Sequence, residues 1–173
     1  MKLSHAGEQF IKQLETCKLS AYLDTGRVWT IGWGHTGPDV RMGTNWTRTK
    51  ADATFYLDIA FAEQTINKLV ISPLTQNEYD ALVSFVYNIG NNAFEASTML
   101  KLLNKRLYVE AAAQFARWNK DNGRVIQGLV NRRAAEEKLF NKVLPCPPSS
   151  LPPQPQSLVS WLKSIFSGFF TSR

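Results

Sequence analysis

The sequence predicts an α+β fold that is mostly helical, with one small sheet near its N-terminus. Three observations predict it. Apolar residues recur every three or four positions over most of the chain. One short N-terminal stretch breaks that period with turn chemistry and β-branched residues. Near Leu144 the pattern gives way to proline.

The first helix carries Leu3, Ala6, Gly7, Phe10, Ile11 and Leu14 on one face and ends near Glu15. Tyr22 to Thr25 lead into Gly26, and Arg27 to Ile31 come next, rich in β-branched and aromatic residues; this reads as a short hairpin. Gly37-Pro38-Asp39 and Asn45 belong to a loop. Thr47 or Thr49 caps the next helix, which buries Phe55, Ile59, Ala62, Ile66 and Leu69 and breaks at Ser72-Pro73. Thr75 and Glu78 have capping-box spacing, ahead of a strongly apolar helix through Tyr79, Leu82, Val83, Val86 and Ile89 that stops at Gly90. Shorter helices are expected over Thr98–Arg106 and Tyr108–Trp118, and a last one over Leu129–Val143.

The chain has 173 residues, 44% of them hydrophobic, enough for one globular core. Its formal charge of +6 favours anionic partners. The Lys and Arg residues are spread along the chain, which argues against nucleic acid. The first fifteen residues mix apolar and charged positions, so no signal peptide is read there, and the expected location is the cytosol. Cys17 and Cys146 are read as free thiols. There is no Cys/His cluster with metal-ligand spacing and no phosphate loop, so no metal or other cofactor is expected.

The stretch LETCKLSAYLDTGRVWTIGWGH, Leu14 to His35, concentrates the chemistry. Glu15 ends an amphipathic helix beside Leu14, and burial there favours a protonated acid. Asp24 lies in polar turn sequence that suits a carboxylate. Two acids in contrasting environments form the acid/base pattern of a glycosidase, and Thr30 offers a hydroxyl to a water. The bland counterpart is a helix-end charge and an Asx-type turn. Gly32 and Gly34 permit a tight backbone path. His35 is read as an ion-paired structural histidine near the cleft, and Cys17 as a small apolar residue. Arg132 and Arg133 read as solvated helix charges, although either can face Glu15.

Glu15, Asp24 and Thr30, with Ile31-Gly32-Trp33-Gly34-His35 directly after them, resemble the signature of phage-type lysozymes, the endolysins of glycoside hydrolase family 24. Leu74 to Gly90 resembles that family's central helix, and Gly128 to Phe140 its C-terminal helix. The resemblance implies a lysozyme-like fold with a helical C-terminal lobe over residues 1–143. It implies Glu15 as general acid, Asp24 as stabiliser of the sugar cation or base toward water, and Thr30 as a water-positioning residue. It implies peptidoglycan as substrate, cut at the β-1,4 bond between N-acetylmuramic acid and N-acetylglucosamine, usually with inversion. It also implies retention in the host cytoplasm until lysis, with a separate membrane protein opening the way to the wall. A lytic transglycosylase and a non-catalytic wall-binding module are the competing readings.

Residues 144–156 hold six of the eight prolines and no charge, and read as a linker. In residues 157–173, Leu158, Val159, Trp161, Leu162, Ile165, Phe166, Phe169 and Phe170 keep helical spacing, with serines, Lys163 and Thr171 opposite. This amphipathic helix, about 22 Å long at about 1.5 Å per residue, is too short to span a bilayer and suits its interface. Contact with membrane or lipopolysaccharide is expected, with docking on the body or self-association as alternatives. A monomer is expected.

Overall fold

The computed structural model describes residues 1–24 and 26–142. Thr25 of the expected turn, Cys146, the proline linker and the amphipathic C-terminal helix lie outside the described residues. Helix α1 (His5–Leu14) is capped by Ser4, whose hydroxyl accepts from the Gly7 N–H. It leads into an antiparallel sheet of β1 (Lys18–Leu23), β2 (Trp29–Gly32) and β3 (His35–Thr36), in that spatial order. The expected hairpin is thus the first half of a three-stranded sheet. Its third strand has two residues, too few to show a period of two.

The long helix α2 (Arg48–Leu69) is capped by Thr47, and the central helix α3 (Gln76–Ile89) by the full Thr75–Glu78 box. Then come α4 (Asn91–Glu95), α5 (Thr98–Asn104), α6 (Tyr108–Ala112), a 3-10 turn (Phe115–Arg117), the ribbon β4 (Lys120–Asp121) with β5 (Arg124–Val125), and α7 (Gln127–Phe140). The expected Tyr108–Trp118 helix is therefore two short pieces. Helix α7 starts two residues earlier than expected and stops at Phe140. Neither α4 nor the β4–β5 ribbon is among the expected elements, although Asn122-Gly123 is the usual dipeptide of a tight hairpin turn.

Helix α3 is the axis of the core. Its Leu82, Val83, Phe85 and Val86 are almost fully buried, with Phe55, Phe94, Phe115 and Phe140 packed around them. The Phe85 and Phe115 rings meet edge to face at 5.0 Å. An aromatic that deeply buried contributes about 3–5 kcal/mol against alanine.

Two buried carboxylates fasten α1. Asp80 accepts from the Ser4 N–H at 3.0 Å and from the Ser4 hydroxyl, and Glu63 accepts from the Leu3 N–H at 2.5 Å and from Lys2 Nζ at 2.8 Å. Gly7 lets the helices approach, since a Cβ there would stand 2.6 Å from Asp80 Cγ. The position of α1 fixes the position of Glu15, its C-cap residue.

Candidate active site

Glu15, Asp24 and Thr30 line one open cleft of about 450 Å³, together with Tyr22, Gly34, Thr36 and the end of α3 from Tyr87 to Gly90. The chain assembles it from three places. The C-cap of α1 presents Glu15, the β1–β2 turn presents Asp24, and strand β2 presents Thr30. Glycine at position 90 ends α3 with φ of 88°, which lets the chain turn away and leaves the helix end facing the cleft.

The turn around Asp24 is tied down locally. Asp24 Oδ1 accepts from the Val28 N–H at 2.7 Å, and the Val28 carbonyl accepts from the Asp24 N–H at 3.0 Å. The same carbonyl accepts from the Thr30 hydroxyl at 3.1 Å. Thr30 is buried, and its only proton is committed to the backbone, so its oxygen lone pairs are what it can offer to a water. Tyr22 stands opposite Thr30 in the sheet. Its phenol is pushed up by burial and, after that, by the negative fields of Glu15 and Asp24.

The surroundings of Glu15 differ from the expectation. Leu14 is half-buried, and the acid does not rest in an apolar niche. Its Oε1 accepts from Arg132 Nη1 at 2.5 Å. Its Oε2 lies 3.4 Å from the point where a Cβ on residue 34 would stand. Gly34 has φ of 101°, so a side chain there would be both strained and crowded against the acid.

Arg132 and Arg133 are not solvated: they are 7% and 1% exposed. Both converge on Glu136, which is fully buried. Glu136 Oε1 accepts from Arg132 Nε at 3.1 Å, from Arg133 Nη2 at 3.0 Å and from the Ser84 hydroxyl at 2.7 Å. Arg133 Nε lies 2.8 Å from Glu136 Oε2, an ion pair not aligned as a hydrogen bond. Burial pushes the Glu136 carboxyl up, against the pull of the two guanidiniums. The signal for this cluster is an acid four residues after one arginine and three after the other, a spacing that puts all three on one side of a helix.

His35 lies between two carboxylates near the cleft: its Nδ1 is within hydrogen-bond distance of Asp58 Oδ2, at 2.8 Å, and its Nε2 is 3.5 Å from Asp39 Oδ1. Burial raises the Asp58 carboxyl, and His35 opposes it. Tyr87, which the sequence does not single out, donates to the Trp33 carbonyl at 2.7 Å and so ties α3 to the sheet. Cys17 is a half-buried free thiol whose pKa burial raises, which suits a small apolar residue. Among the described residues no group of three or more His, Cys, Asp or Glu is placed to hold a metal.

Residues 12–136 match the phage lysozyme family, a span that runs from within α1 to Glu136 and contains every residue of this cleft. The chain belongs to the phage lysozyme family. An endolysin of Bacillus phage PZA is 44% identical over 147 residues, which cover 84% of this chain and 57% of that protein. The chain thus spans little more than half the length of that relative. An endolysin of Salmonella phage P22 is 40% identical over 144 residues, covering 81% of this chain and 98% of its own. Among solved structures, the muramidase domain of SpmX from Asticaccaulis excentricus superposes with a TM-score of 0.73 at 39% identity, covering 82% of this chain and 99% of that one. The phage lysozyme match ends at Glu136, short of the proline stretch and the C-terminal segment.

Proposed function

We propose that the chain is a peptidoglycan hydrolase of the muramidase type, cutting the β-1,4 bond between N-acetylmuramic acid and N-acetylglucosamine. The observation that carries this reading is that Glu15, Asp24 and Thr30 line one open cleft. Glu15 is the general acid. Arg132 grips its Oε1, so Oε2, on the Gly34 side, delivers the proton to the glycosidic oxygen. Asp24 and Thr30 act on the other side of the bond. A water donating to the Thr30 oxygen and to the Asp24 carboxylate turns a lone pair toward the anomeric carbon. Water adds, the leaving hydroxyl takes the proton of Glu15, and Asp24 takes the proton of the water.

Residues 1–143 form the catalytic domain in this reading, acting as a monomer once the wall becomes accessible at lysis. Residues 144–156 are a spacer. Residues 157–173, whose apolar residues recur at helical spacing in the sequence, contact anionic membrane or lipopolysaccharide through Leu158, Trp161, Leu162, Ile165, Phe166, Phe169 and Phe170. The support is the sequence pattern: eight large apolar side chains at even about 1 kcal/mol each outweigh the two basic residues of the segment.

Mass spectrometry of products from purified walls tests the enzymatic reading. A muramidase leaves a reducing N-acetylmuramic acid end. A transglycosylase leaves a 1,6-anhydro end, lighter by one water, and a wall-binding module leaves the polymer intact. Either of the last two results overturns the proposal.

A further inference from the structure

We infer that Asn88 is a substrate-binding residue of this cleft, whose amide N–H group donates to the acetamido carbonyl of the bound sugar. This rests on the muramidase reading above. Asn88 is exposed, lies on the last turn of α3 and lines the cleft with Glu15 and Asp24. An asparagine amide can face a ligand with either its oxygen or its nitrogen. Here the choice is fixed from below, because Asn88 Oδ1 accepts from Arg133 Nη2 at 2.9 Å. A guanidinium has donors and no acceptor, so the amide cannot be flipped without placing two donors face to face.

Arg133 itself cannot turn away. It is held by Glu136 on one side, its guanidinium lies 5.0 Å from the centre of the Phe85 ring, and it is 1% exposed. Burial pushes its pKa down to about 10, a measure of how unfavourable that position is for a cation. The buried charge thus sets the outward face of an exposed side chain. Among the described residues, the bond from Arg133 is the one that engages the Asn88 side chain, and Nδ2 keeps both hydrogens for a ligand. A peptidoglycan strand offers hydroxyls, which accept or donate, and acetamido carbonyls, which only accept. A fixed donor pair needs an acceptor, and the acetamido carbonyl is the group of the strand that offers acceptor capacity alone. A deacetylated sugar carries an ammonium there, a donor, and gains nothing from the Asn88 amide.

The test uses the full chain and peptide-free peptidoglycan strands. Asn88→Ala is expected to raise KM about 3- to 10-fold, with kcat changed less than about 2-fold, as for one lost neutral hydrogen bond. N-deacetylated strands serve as competitive inhibitors, and their Ki is expected to be the same for Asn88→Ala and wild type. Asn88→Asp separates recognition from support. It still accepts from Arg133, so its melting temperature is expected to hold or rise, yet it has no donor and its KM is expected to rise too. Unchanged KM in Asn88→Ala, or an equal loss for acetylated and deacetylated strands, overturns the inference while leaving the muramidase reading intact. Wild-type activity in Asn88→Asp would reduce Asn88 to a support for Arg133. A wild-type protein that leaves walls uncut overturns the inference and the reading beneath it together.

Discussion

Arg132 joins two carboxylates of opposite character: its Nη1 meets the half-buried Glu15 at 2.5 Å while its Nε meets the fully buried Glu136 at 3.1 Å. A planar guanidinium can do both at once, and a lysine ammonium cannot keep that geometry. Arg132→Lys is therefore expected to stay folded but lose at least about 10-fold in wall hydrolysis, since Glu15 loses its fixed orientation. Arg132→Ala also leaves Glu136 with one cation fewer, and a destabilisation of about 3–5 kcal/mol is expected. Urea titration alongside the wall assay separates the two effects. An Arg132→Lys enzyme of full activity would remove the orienting role.

The first helix carries a pH-dependent tie. Glu8 accepts from Lys12 Nζ at 2.7 Å and from the Tyr56 hydroxyl at 2.8 Å. The Lys12 hydrogen bond, the largest influence, holds its carboxyl below the ordinary 4.5. A depressed acid stabilises the fold above its unfolded pKa, and that contribution disappears as pH falls through the lower folded value. Glu8→Gln is expected to cost up to about 1 kcal/mol at pH 7. As pH falls through that lowered folded value and wild-type Glu8 is protonated as well, the two proteins should converge. A difference that shows no decrease as pH is lowered from 7 until the fold is lost would rule out the carboxylate as its source.

Physical scale decides how much of the molecule is legible in the sequence. The helices with strong signals, α1, α2 and α3, are legible from a repeating apolar face, a local feature, and α2 and α3 also from their caps. The two cleft acids and the threonine hydroxyl lie within sixteen residues and are legible as a group. The buried Arg132–Glu136–Arg133 cluster is not. A charged helix face looks the same whether it meets water or a partner, and the partner, Glu15, is 117 positions away. Asn88 is silent for the same reason, since its orientation comes from Arg133, 45 positions on. The small β4–β5 ribbon is hidden for another reason, namely that two-residue strands have no period.

If Asp24 and Thr30 hold the attacking water, hydrolysis proceeds with inversion. Proton NMR of fresh product from a glycan strand is expected to show the α anomer first. An initial β anomer would indicate a covalent or otherwise retaining route, and would remove the water from between these two residues.

Trp161 reports on the C-terminal segment. Anionic vesicles or lipopolysaccharide are expected to shift its fluorescence to the blue, with Trp161→Phe as the control for Trp29, Trp33, Trp46 and Trp118. Removing residues 157–173 should leave hydrolysis of purified peptidoglycan nearly unchanged and reduce killing of intact Gram-negative cells. A fall in melting temperature on truncation, with no Trp161 shift on added lipid, would point to docking on the body instead.

In the muramidase reading Glu15 delivers the proton that breaks the glycosidic bond. The most direct measurement of that step is the rate of clearing of purified cell walls by Glu15→Gln, with circular dichroism showing that the variant is folded. Glutamine keeps the shape and can still hydrogen-bond within the cleft, but has no acidic proton to give. The expected result is a loss of about 10²–10⁴-fold, the usual contribution of a general acid. A folded Glu15→Gln protein that retains a tenth or more of wild-type activity would contradict the account.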